Sequence, residues 1–313
     1  MGEPHPPRRH AVAPQHTNVV VTGPQGPADV MIAPAAATRT NPRYDQRHWD
    51  ILRENLAFAK QWQRFDPANR AILPVPTAMP RGPESVRSVF AQAVRRAPGH
   101  EVFLFIGHGG AATLGDPTNP DPEKRKPHLA AFDTLPEPGR FSEHACLVTE
   151  DVVTRARALR AQASGHGSSS VPLGVTPQEA RLNALAQVLV DLGTLVQANP
   201  IQQLTILTCN VGQRLPHPTP GRLTGRDFVQ ALADVLRTHV RMYDGWIATD
   251  VRRDVPPNPD HSVPVQIWIT RDHDHADHDQ IPPFDPGFPE SLHEVPDQNP
   301  RNSGHSVVCA PSP

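Results

Sequence analysis

The apolar positions along this chain alternate between two rhythms. Residues 101–106, EVFLFI, form a near-continuous apolar run of the kind that fills a parallel strand covered on both faces. Residues 203–208, QLTILT, predict a second such strand, and 70–75, RAILPV, a third whose end is demoted by Pro74. Further strands are predicted at 17–22 (TNVVVT), 240–248 (VRMYDGWIA) and 263–270 (VPVQIWIT). Between them the spacing turns helical. Residues 45–62 place Trp49, Leu52, Leu56 and Ala59 on one face with Trp62 near it, and 84–97 repeat the pattern through Val86, Val89, Phe90 and Val94. Thr176-Pro177-Gln178-Glu179 has the form of a capping box with proline at the first helical position. The helix it opens is expected to run to about Ala198, with Leu182, Leu185, Leu189 and Leu192 inward, and another amphipathic helix is expected at 225–239.

Strands alternating with helices predict an α/β fold: a three-layer sandwich, a mainly parallel sheet with helices on both faces. Residues 111–170 break the rhythm with a Pro/Asp-rich loop and a helix at 149–163, and read as an insertion. The expected organisation is an N-terminal arm at 1–16, one α/β domain at 17–270 carrying that insertion, and a loose Pro/His/Asp-rich tail at 271–313.

Composition sharpens this picture. The 313 residues include 38 prolines, more than twice the usual share of roughly 5%. They cluster in 1–43, 116–140, 214–220 and 255–313, so a packed core with stiff loops and arms is expected. Lys+Arg is 30 and Asp+Glu is 32, a balance that points to neither nucleic acid nor a membrane surface as partner. No apolar run opens the chain and none reaches the roughly 18 residues of a membrane span, so a cytoplasmic location is expected. The cysteines are Cys146, Cys209 and Cys309, an odd, sparse set that reads as free thiols in a reducing compartment.

Chemistry concentrates at two strand ends. In open α/β sheets, sites lie outside the C-terminal ends of the strands. His108 follows the 101–106 run in Gly107-His108-Gly109-Gly110, and Cys209 follows the 203–208 run in Cys209-Asn210-Val211-Gly212. A cysteine nucleophile needs a base to take its proton and backbone N–H donors for the oxyanion. His108 supplies the first. Gly109 and Gly110, lacking Cβ, leave backbone open for the second. Read singly, Cys209 is a small buried hydrophobe and 107–110 a tight turn. Their matched positions make a Cys–His pair the better reading.

These two motifs, EVFLFIGHGG and QLTILTCNVG, resemble those of the caspase-like cysteine peptidases, which include caspases, legumain, gingipains and separase, and are most similar to the bacterial CHAT-type proteases. The resemblance covers roughly 17–270 in element order. It implies a caspase-like sheet and an endopeptidase acting through an acyl-enzyme. Cys209 would be the nucleophile and His108 the base, with the backbone N–H groups of Gly109 and Cys209 as oxyanion hole. It implies a protein or peptide substrate and no cofactor, although some members depend on calcium, and it suggests a bacterial host. The Gln-Ala-Cys motif of caspases proper is absent, so cleavage after Asp is not implied. Asp244, Trp246 and Asp250 are candidates for a substrate-pocket wall, with ordinary strand and turn roles as the bland alternative.

Other signals are weaker. The run 272–279 carries His273, His275 and His278 among aspartates, a metal-binding composition with no apolar shell, and reads as a solvated polyampholyte. His-Gly-Gly also occurs in α/β-hydrolases, but no Gly-x-Ser-x-Gly elbow is present. No Lys-Ser/Thr follows 107–110, against a phosphate loop. His144 and Cys146 form a local pair with no strand-end context. The rival from another class is a catalytically inactive caspase-like module, held in a complex through its Pro-rich arms at 1–43 and 280–313.

Overall fold

The computed structural model describes residues 24–34, 46–75, 86–105, 109–110, 128–130, 147–163, 176–209, 211–212, 223, 225–251, 265–271, 293–296 and 299–313. Its centre is a six-stranded, mostly parallel sheet. β1 (Asp29–Pro34) pairs parallel with β2 (Arg70–Val75) on one side and with β3 (Glu101–Leu104) on the other. β3 pairs parallel with β7 (Gln203–Ile206), and β7 with β8 (His239–Tyr243). The last edge is β12 (Ser306–Cys309), antiparallel to β8.

Among the described residues five helices accompany these strands: α1 (Gln46–Phe65), α2 (Val86–Arg96), α3 (Glu150–Ala163), α4 (Pro177–Ala198) and α5 (Arg226–Leu236). Two small sheets complete the described elements. One joins β9 (Trp246–Val251), β10 (Val265–Thr270) and β11 (His293–Pro296), and the other β4 (Gly109–Gly110), β5 (His128–Ala130) and β6 (Leu147–Thr149).

Local chemistry accounts for α4 in detail. The Thr176 hydroxyl accepts from the Glu179 N–H at 3.3 Å, and the Glu179 carboxylate accepts from the Thr176 N–H at 2.9 Å. The Thr176 backbone N–H, helped by the Thr176 hydroxyl at 3.0 Å from the same oxygen, holds the Glu179 carboxyl below its ordinary pKa. At the other end, the Asn199 side chain donates to the Leu195 carbonyl at 3.1 Å. Pro74 sits in β2, an edge strand, where its missing N–H costs least.

Alternate residues of the central strands feed two apolar clusters. Val30, Ile32, Val102, Leu104, Leu204 and Ile206 join residues of α2, α3, α4 and α5. Met31, Ala33, Phe103, Phe105, Leu207 and Tyr243 join Phe58, Ala59 and Trp62 of α1, together with Val265, Ile267 and Ile269 of β10. Within the second cluster, Trp62 meets Phe103 edge-on at 5.3 Å, and Phe58 meets Phe105 at the same separation. Arg70, buried at the start of β2, stacks 5.2 Å from the Trp62 ring and donates to the Trp62 carbonyl at 2.9 Å.

Three sequence expectations need correction, and one central strand was not among those expected. The strand not expected is Asp29–Pro34, flanked by Pro27 and closed by Pro34; the strand expected at 17–22 lies outside the described residues. The run at 240–248 is two strands in different sheets, because Asp244-Gly245 turns the chain between β8 and β9. The stretch 111–170 is not merely inserted: β5 pairs with β4 and β6 with β5, and Val152, Val153 and Ala156 of α3 enter the main core. Nor does the folded domain end at 270. β11 and β12 complete the small and central sheets, and Cys309 is buried, because β8 offers an unpaired edge that the chain returns to cover. The arm at 1–16 lies outside the described residues.

Candidate active site at the C-terminal edge of the sheet

Leu104 of β3 is in register with Ile206 of β7, and the Leu207 N–H donates to the Leu104 carbonyl at 2.9 Å. The two strands therefore reach the same edge side by side. Cys209 stands three residues beyond Ile206. His108, the residue expected to face it, lies outside the described residues, and the chain is described again from Gly109. Gly109 and Gly110 form β4, in register with Leu129 and His128.

Cys209 as a residue is half-buried. Its sulfur is enclosed, and that burial pushes the thiol above its ordinary pKa, while the Ile247 backbone N–H acts in the opposite sense. The neutral thiol is thus the form held at neutral pH. Thr208 is buried, and among the described residues its hydroxyl has no hydrogen-bond partner.

The loop after Cys209 is held from behind. The Gly212 N–H donates to the Tyr243 carbonyl at 2.8 Å. A Cβ at Gly212 would lie 2.9 Å from Val307 Cγ2 and 3.1 Å from the Tyr243 carbonyl carbon and oxygen, so β8 and β12 admit only glycine there without moving.

The three pocket-wall candidates fare differently. Asp244 already has partners: its carboxylate pairs with Arg271 and accepts from the His305 N–H at 2.6 Å. It ties the end of β8 to the end of β10 and to the approach to β12. Trp246 opens β9 opposite Thr270, next to the Ile247 N–H that acts on Cys209. Asp250 pairs across from Gln266, four residues further along the strand and so about 13 Å from Trp246.

Of the other thiols, Cys309 is buried in the main core, donates weakly to the Arg226 carbonyl at 3.8 Å, and has its pKa raised by burial. Cys146 and His144 lie outside the described residues, as do His273, His275 and His278. Among the described residues no group of His, Cys, Asp and Glu is arranged to hold a metal ion. Among them, too, no helix is long and apolar enough to cross a membrane.

Behind the site lies a polar cluster that the sequence did not reveal. Glu101 accepts from the Gln203 side chain at 2.8 Å and from the Thr205 hydroxyl. Burial raises its pKa, against the pull of those two bonds and of Arg241. The Tyr243 hydroxyl donates to Glu294 at 2.9 Å, and Arg241 lies 3.3 Å from the same carboxylate oxygen. No periodicity marks Glu294, which sits in a Pro-rich stretch. Comparison with protein-family models, curated proteins and solved structures finds no match to this chain.

Proposed function

We propose that this protein is a cysteine endopeptidase of caspase-like fold, with Cys209 as nucleophile and His108 as base. One observation carries the reading. Cys209 follows β7 at the edge it shares with β3, and β3 runs on into Gly107-His108-Gly109. β3 and β7 are adjacent and parallel, so their C-terminal ends lie at one sheet edge, the place where such sheets host their sites.

A three-layer arrangement belongs to the same proposal. The two apolar clusters fed by alternate sheet residues support it, one holding α2 to α5 and the other α1 with the small sheet.

In the proposed reaction the Cys209 sulfur attacks the scissile carbonyl as His108 takes its proton. The tetrahedral oxyanion is held by the backbone N–H groups of Gly109 and Cys209. His108 then protonates the leaving amine, and water hydrolyses the thioester. The raised thiol pKa gives the base a definite task, since a neutral thiol must lose its proton during attack. The test is cleavage of a peptide library by wild type and Cys209→Ala. Loss of cleavage in the variant is expected, and equal cleavage ends the nucleophile assignment.

The enclosed sulfur also favours a second reading, an inactive module of the same fold serving as a binding or assembly component. Labelling with an electrophilic peptide separates the two. Reaction at Cys209 supports the enzyme, whereas labelling confined to Cys146 or Cys309 supports the module.

A further inference from the structure

We infer that Glu294 is a positioning residue for Cys209: through Tyr243 and Arg241 it clamps the β9–β10–β11 sheet over the ends of β3 and β7. This rests on the reading of Cys209 as the reactive thiol.

The geometry runs from β11 inward. Glu294 is in register with Ile267 on the neighbouring parallel strand β10. Residues in register share a face, and Ile267 lies in the cluster that also holds Phe105, Leu207 and Tyr243. The Glu294 carboxylate therefore enters the layer between the two sheets. There it meets the Tyr243 hydroxyl at 2.9 Å and Arg241 at 3.3 Å, both from β8 of the central sheet.

Tyr243 is fully buried, and Glu294 is the side chain that accepts from its hydroxyl, so removing the carboxylate takes away that acceptor. Glu101 of β3 faces the same layer, but it is occupied by Gln203 and Thr205. The Arg241 charge acts on Glu101 as well, yet Glu294 is the carboxylate that Arg241 approaches within salt-bridge distance.

What the clamp holds lies against the site. The Ile247 side chain packs against the cluster containing Leu207, two residues before Cys209, and the Ile247 N–H acts on the Cys209 sulfur. Loosening β11 frees β10 and then β9, which opens the enclosure around that sulfur. The end of β10 is also held by apolar contacts, by the Asp244–Arg271 pair and by backbone bonds to the segment before β12, with the Arg271 N–H donating to the Asn302 carbonyl at 2.7 Å and the Gly304 N–H to the Ile269 carbonyl at 3.3 Å.

The test uses the full chain carrying Glu294→Ala or Glu294→Gln. Amide hydrogen exchange is followed across 246–251 by mass spectrometry, and iodoacetamide alkylation is mapped to Cys209. Losing a charge-assisted, part-buried bond predicts roughly ten-fold faster exchange in β9 and faster Cys209 alkylation in Glu294→Ala, with α4 unchanged. Glu294→Gln, which keeps an acceptor for the Tyr243 hydroxyl, falls between. Wild-type exchange and alkylation in folded Glu294→Ala overturn the inference. If that variant does not fold, Tyr243→Phe removes the hydroxyl alone: faster β9 exchange supports the clamp, and wild-type values overturn it. A β9 response in a protein without peptidase activity supports the clamp and sinks only the catalytic reading.

Discussion

The Gly212 amide donates to the Tyr243 carbonyl at 2.8 Å, and this bond anchors the loop that follows Cys209 to the end of β8. A methyl group at Gly212 would press on the Tyr243 carbonyl and on Val307. Gly212→Ala is therefore expected to cost about 1–3 kcal/mol of stability and to change Cys209 alkylation. Urea unfolding and peptide-mapped labelling measure both. A fully stable variant with wild-type labelling would show that the loop is not pinned there.

The pH dependence of Cys209 follows from its enclosure. Burial raises the thiol pKa, so alkylation by a small neutral electrophile should reach half its limiting rate above the roughly 8.5 of a free cysteine. A midpoint below that value would mean that the thiolate is favoured in the resting protein, contrary to the burial argument.

Glu101 makes a second pH prediction. Its folded pKa is raised above the unfolded value, so its contribution to stability is fully present below the unfolded pKa and is lost as pH rises through the folded one. Glu101→Gln removes that loss. Relative to wild type, the variant should gain stability as pH rises above the roughly 4.3 of a free glutamate, as read by urea unfolding from that pH upward. A constant difference over the range argues against a desolvated carboxylate.

The C-terminal segment is expected to be integral to the fold. Deleting residues 305–313 removes β12, the Cys309 side chain from the main core, and the Val307 contact behind Gly212. Loss of cooperative thermal unfolding, or a clear fall in its midpoint, is the expected outcome. A truncated chain as stable as the full one rules out a structural role for this strand.

Much of the architecture was legible where local signals are strong. The capping box at Thr176 and Glu179 marks α4 because its two reciprocal hydrogen bonds involve residues three apart. The apolar runs of β3 and β7 announce buried parallel strands, and their ends locate the Cys209 edge. Signals failed where partners are remote. β1 is a brief run between prolines, and its central place comes from pairing with β2 and β3 at once. Asp244 looked free for a substrate because Arg271 and His305, which occupy it, are 27 and 61 residues away.

The alternation of elements, the helix cap and the two strand ends where chemistry could gather are all written locally along the chain. All of these are set by side-chain periodicity and by residues a few positions apart. Only the tertiary structure decided that β12 closes the central sheet, that the Cys209 sulfur is enclosed beside Ile247, and that Glu294 joins two sheets through Tyr243 and Arg241. Each of those outcomes depends on a strand edge or a polar group finding its partner across 38 or more residues of chain, a distance over which no local pattern carries information.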